Sequence, residues 1–180
     1  MRLSRRLTGV LVATAVLSGC FTVTGSLDAS GAGRLTLLYA PPRHATARSE
    51  TLRFASEHVR VESVAREGDQ AKAVVTFDDV TKLSTAEAFR DLRVFREQDG
   101  ERQRLRIVLP GPEAAKRAML RSRAAAGSAG PQVILDLPGR VLDAGAYGRA
   151  EGSRVTWLVP LDAYADEPWI ELVVAYAHSR

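Results

Sequence analysis

Cys20 is the only cysteine in the chain, and it stands where an export signal would end. Arg2, Arg5 and Arg6 form a basic start, and Leu7 to Leu17 form an apolar run. Ser18 and Gly19 are small residues just ahead of the cysteine. A charged head, a short apolar centre and small residues before a cut site are the anatomy of a secretory signal peptide. The run is about 11 residues where spanning a bilayer takes about 20, so it is too short for a membrane-crossing helix. The pattern assigns 1–19 to a signal peptide, cut between Gly19 and Cys20. A lone cysteine closes no internal disulfide, so the exported part must hold together by packing alone.

Leu17-Ser18-Gly19-Cys20 resembles the lipobox of bacterial lipoproteins. The resemblance implies that the Cys20 thiol receives a diacylglycerol and that a dedicated peptidase cleaves before it. Two or more acyl chains, at about 0.8 kcal/mol per buried methylene, anchor stably where one chain does not. Ser4-Arg5-Arg6 is similar to a twin-arginine signal, but Thr8 stands where an apolar residue is usual, so ordinary secretory export is expected. Phe21 follows the cysteine, where the family uses aspartate to retain proteins at the inner membrane. The expected place is the cell envelope, lipid-anchored to the outer face of the cytoplasmic membrane or to the outer membrane.

The formal net charge of +4 falls to about +1 once the three signal arginines are removed. The pI of 9.6 is therefore no nucleic-acid footprint, which needs basic residues gathered on one face. Lys72, Lys82 and Lys116 are the only lysines, and asparagine is absent. Both are read as compositional bias.

Segments 20–33 and 34–180 divide the mature chain into a lipidated, small and polar tether and a folded domain. Thr22 to Leu27 is expected to add a short edge strand at most. Arg34 to Ala40 reads as a strand stopped by Pro41-Pro42, and 45–56 has helical spacing with Ala45, Ser49, Leu52 and Phe54 facing inward. His58 to Glu62 and Ala71 to Val80 make a hairpin around Gly68-Asp69. Ser84 and Glu87 have the spacing of a capping box, predicting a short helix through Phe89. Leu92 to Glu97 and Arg102 to Leu109 make a second hairpin around Asp99-Gly100. Pro112 opens a helix that reaches Arg123, with Glu113 in its first turn. Val133 to Leu137, Arg154 to Leu161 and Glu171 to Ala177 complete the strands. The fold class is α+β, an antiparallel β-sheet packed with two or three helices. Arg34-Leu35 and Pro42 recur 70 positions later as Arg104-Leu105 and Pro112, a faint repeat that suggests two related β-α-β-β units.

Chemistry-bearing patterns are sparse. Asp78 and Asp79 are strand neighbours whose side chains point to opposite faces. His44, His58 and His178 have no paired metal-ligand spacing, so no metal and no cofactor is expected. Gly127-Ser128-Ala129-Gly130 lacks the first glycine of a nucleophile elbow, because Ala126 stands there. Gly31-Ala32-Gly33 precedes a strand and is no phosphate loop. Lys116, Arg117, Arg121 and Arg123 form a candidate basic stripe for anionic headgroups, with Ala114, Ala115, Ala118 and Met119 on the opposite side. Trp157, Trp169, Tyr147, Tyr164 and Tyr176 concentrate near the C-terminus. Core packing is the main expectation for them, and Trp169 is the one singled out for contact with a ligand or membrane.

Leu137-Pro138-Gly139-Arg140-Val141, followed by Gly152-Ser153-Arg154-Val155-Thr156-Trp157 and a polar-aromatic tail, resembles the LppM-like domain of bacterial lipoproteins. Val80-Thr81-Lys82-Leu83 fits the same pattern. Asp143-Ala144-Gly145 fills a connector where family members often carry asparagine. The resemblance implies a strand ending in Pro-Gly, a returning Val-x-Trp strand, and structural roles for both. It also implies an envelope lipoprotein with no catalytic residues, binding a lipid or glycolipid. The alternative expectation is an accessory or assembly subunit whose sheet edge docks an envelope protein. No nucleic-acid partner is expected.

Overall fold

Apolar residues at every second position decide the architecture. Leu35, Leu37 and Tyr39 alternate along one segment, and Ala71, Ala73, Val75 and Phe77 along another, and all are buried. Period-two burial places these side chains on one face of a sheet. The computed structural model describes residues 21–177. The expectations for the signal, Gly19, Cys20 and His178 lie outside those residues.

Two sheets share one core. The first has seven strands in the order β3-β4-β2-β1-β7-β10-β9. They are β1 (Thr22–Leu27), β2 (Gly33–Tyr39), β3 (Val59–Glu67), β4 (Gln70–Phe77), β7 (Gln132–Asp136), β9 (Gly148–Glu151) and β10 (Arg154–Leu158). The second has four strands in the order β5-β6-β11-β8: β5 (Arg93–Asp99), β6 (Arg102–Pro110), β8 (Val141–Asp143) and β11 (Trp169–Ala177). Helices α1 (Ala47–Phe54), α2 (Ala114–Ala125) and α3 (Leu161–Asp166) pack around them, with 3-10 turns at Val80–Thr85 and Glu87–Phe89. Leu105, Ile107 and Leu109 of β6 and Ile170, Leu172, Val174 and Tyr176 of β11 join the first sheet's inner residues in a single cluster. The class is mixed α+β, with helices packed on sheets that are antiparallel except at the β1–β7 pair, as the alternation and helical spacing predict for the class.

Several local expectations change. Thr22–Leu27 is neither tether nor edge: β1 lies inside the larger sheet, antiparallel to β2 and parallel to β7. Hydrogen bonds on both flanks hold a strand whose own residues are mostly small and polar. A Cβ at Gly25 would meet the Arg34 carbonyl oxygen, so the close pass of β2 needs glycine there. Among the helical positions of α1, Glu50 and Phe54 are buried and Leu52 is 68% exposed. The capping box forms at Thr46 and Ser49, not at Ser84 and Glu87. The Val80–Thr85 turn is capped instead by Asp79, which accepts from the Thr81 amide at 2.8 Å. The second turn has no side-chain cap. The two segments of the repeat also differ in topology. β2, β3 and β4 all join one sheet, whereas β6 and β8 lie in one and β7 in the other.

Tyrosine burial gives the fold a pH signature. Burial pushes the Tyr164 phenol up to about 12, and burial also raises Tyr39 and Tyr176. An unfolded phenol ionises near pH 10. The folded state therefore keeps these groups neutral while the unfolded state loses protons, and that stability is present below pH 10. Stability is expected to fall as pH rises from about 10 through 12. Urea unfolding across that range, with phenolate absorbance followed in parallel, checks it. A stability independent of pH there would contradict the burial.

Candidate functional site

Between the sheets lies an apolar cavity of about 100 Å³. Its floor comes from four strands that are distant in sequence: Phe21 and Val23 at the start of β1, Leu35 and Leu37 on β2, Ile107 and Leu109 on β6, and Val133 and Leu135 on β7. Tyr164 of α3 closes one end, its ring edge-on to Phe21 with centroids 6.4 Å apart. The turn Glu87–Phe89 and the residues after it form the mouth. Glu87, Arg90 and Asp91 line the cavity and are exposed, with Arg53 partly buried beside them. A water needs only about 10 to 15 Å³, so the space takes a group of several carbons. The interior is apolar, and the charged side chains of Arg53, Glu87, Arg90 and Asp91 are the polar part of its lining.

Of the charged residues that line the cavity, Arg53 is the most buried. Its guanidinium meets Glu50 at 2.6 Å and stacks over the Phe54 ring at 5.2 Å. The Tyr39 hydroxyl donates to the same Glu50 carboxylate. Burial, and then this carboxylate, hold the Tyr39 phenol well above its ordinary range. Glu50 and Arg53 thus act as a pinned post beside the mouth. Phe54 packs between Tyr39 and Phe89, at 5.5 and 5.4 Å, so α1 is tied to the turn that forms the entrance.

The site residues expected from the sequence are not gathered here. Lys116 pairs with Glu113 at 3.4 Å, Arg117 donates to the Pro112 carbonyl at 3.4 Å, and Arg121 pairs with Asp166 at 2.6 Å. Arg123 is exposed near the end of α2. The inward face of α2 carries Leu120 and Ala124, while Ala114, Ala115, Ala118 and Met119 face solvent. This reverses the expected alanine face, because Lys116 and Arg117 lie half-buried along their stems. Trp169, 60% exposed, opens β11 opposite Pro110, near the start of α2. Arg123 stands about 15 Å further along that helix. His58 meets Asp78 at 3.1 Å as a surface pair.

The Val-x-Trp segment is structural. Val155 and Trp157 are fully buried on β10, and the Trp157 indole donates to the Ala144 carbonyl at 3.0 Å. β7 ends at Asp136, just before Leu137-Pro138-Gly139.

No family model matches the chain, and no curated protein matches it. Among solved structures, the NMR structure of the folded domain of Mycobacterium tuberculosis LppM is similar, with a TM-score of 0.55 and 11% identity. The match covers 91% of this chain and 93% of that one. The two-sheet architecture of this chain is an LppM-like fold.

Proposed function

We propose that this chain is a non-enzymatic lipoprotein of the cell envelope, anchored through Cys20, whose inter-sheet cavity binds the acyl part of a lipid or glycolipid. The cavity carries the reading. Its lining is apolar, and Arg53, Glu87, Arg90 and Asp91 at the entrance suit a polar head left in water. The lipobox-like segment and the LppM-like fold are consistent with an envelope setting. Docking of an envelope protein through a sheet edge is less well supported. β3 is bulged between Val61 and Ser63 and carries Arg60 and Glu62, β5 carries Arg93, Arg96, Glu97 and Asp99, and β8 and β9 are three and four residues long. Charge, bulges and shortness are the devices that discourage edge pairing.

The test is mass spectrometry of the protein taken from its native membrane, intact and after organic extraction. Acyl mass on Cys20 is expected, together with extractable lipid that is not covalently bound. Val94 lines the cavity and is only partly buried, so Val94→Trp puts a larger side chain into that space. That variant is expected to lose most of the extractable lipid, about tenfold, and keep its thermal transition. Unaltered lipid content in a folded Val94→Trp protein would sink the cavity assignment.

A further inference from the structure

We infer that the pole of the sandwich at which β1 begins rests on the headgroup layer of the bilayer, so the domain has a fixed orientation on the membrane. The inference rests on the lipid-anchor reading of Cys20. Its carrying observation is the absence of a spacer. Phe21 is one peptide bond from Cys20, about 3.8 Å between Cα atoms. Phe21 is already 5% exposed, packed on Tyr164, and its carbonyl accepts from the Gln132 amide at 3.0 Å. β1 then runs directly into the middle of the larger sheet. Acyl chains on the preceding residue leave no length of chain over which the domain can turn.

The register of the strands says what else stands at that pole. Gln132, next to Phe21, pairs with Leu158 of β10, and the Leu158 amide donates to the Tyr147 carbonyl at 3.1 Å. Leu158 is 52% exposed and Tyr147 41% exposed. Tyr147 is also held at a φ of 62°, a left-handed conformation unusual for a tyrosine, which presents it at the tip of its turn. Between the end of α2 and the start of α3 lies an open groove of about 640 Å³, lined by Ala125, Gly127, Leu158 and Pro160 with Arg121 and Asp162. Gly130 lets the two sides of that groove meet: a Cβ there would strike the Val159 carbonyl oxygen. Exposed Leu and Tyr side chains beside small residues make a shallow surface that seats at the boundary between headgroups and acyl chains. Arg66 and Lys72 at this end of the sheet stand with Asp69, so the charge is mixed and the anchor, not attraction to anionic lipid, sets the orientation. The turn at Ala29, beyond the far end of β1, lies about 20 Å from Phe21.

The experiment uses the full chain, matured and acylated in cells and reconstituted in phosphatidylethanolamine and phosphatidylglycerol vesicles. Ala126→Cys and Ala29→Cys, both exposed sites, are labelled separately with a fluorophore and quenched by a nitroxide on the lipid headgroup. Quenching about threefold stronger at position 126 than at 29 is expected from their difference in height. Equal or reversed quenching, with acyl mass present on Cys20, overturns the orientation and leaves the anchor standing. Absence of acyl mass overturns both. A spacer of about twelve Gly and Ser residues after Cys20 reaches roughly 20 Å and is expected to erase the contrast. A contrast that survives the spacer would overturn the claim that the missing tether fixes the orientation.

Discussion

Trp157→Ala is expected to destabilise the domain by about 3 to 5 kcal/mol, the range for removing a buried large aromatic side chain. For a chain of this size that lowers the thermal midpoint by about 6 to 20 °C. Two separable effects add up. The indole is fully buried on β10, where its removal opens a cavity between the sheets. Its Nε1 also donates to the Ala144 carbonyl, in the connector between β8 and β9. β8 lies in the small sheet and β9 in the large one, so this bond ties the crossing segment to the core. Trp157→Phe keeps most of the packing and removes the donor, leaving a buried carbonyl without it, so it is expected to lose only about 1 to 3 kcal/mol. Chemical denaturation of the three proteins checks the ranking. Equal losses for Phe and Ala would show that the hydrogen bond, not the volume, dominates. A loss below about 1 kcal/mol for Ala would contradict the burial of Trp157.

That Val-x-Trp pair is legible in the sequence because alternation over Val155, Thr156 and Trp157 is a strong local signal. The same holds for the hairpins around Gly68 and Gly100, where a left-handed glycine joins two alternating runs. What is illegible has a common physical origin. Thr22, Thr24 and Ser26 are polar and read as tether, yet β2 and β7 supply the hydrogen bonds of β1 from both sides. β8, β9 and α3 span 3, 4 and 6 residues, too few for any period to show, and their place is set by tertiary contact. On α1, helical spacing points Leu52 inward and gives no hint of Glu50. Such spacing identifies a face but does not say that a carboxylate on it will meet Tyr39 and Arg53. The cavity is illegible for the strongest version of this reason. Phe21, Leu37, Ile107 and Val133 meet only when two sheets close on each other.

Removing the Glu50 carboxylate is expected to be as damaging as removing Trp157, for an electrostatic reason. Glu50 is 4% exposed, and the Arg53 side chain 12%. The Tyr39 hydroxyl and the Arg53 guanidinium both donate to the same carboxylate oxygen. Glu50→Ala takes the countercharge away from a cation that stays largely out of water, which costs about 3 to 5 kcal/mol. Tyr39→Phe removes a single donor while the ion pair remains, so a loss of about 1 kcal/mol is expected. The pair itself contributes little net stability once the desolvation of both ions is counted. The double variant Glu50→Leu with Arg53→Met, apolar at both positions, is therefore expected to recover most of the stability lost by Glu50→Ala. A double variant as unstable as the single one would show that α1 needs the charges themselves to hold its register against Phe89. Recovery of stability, combined with a loss of extractable lipid in the same protein, would place the buried pair in the service of the cavity mouth instead of the fold.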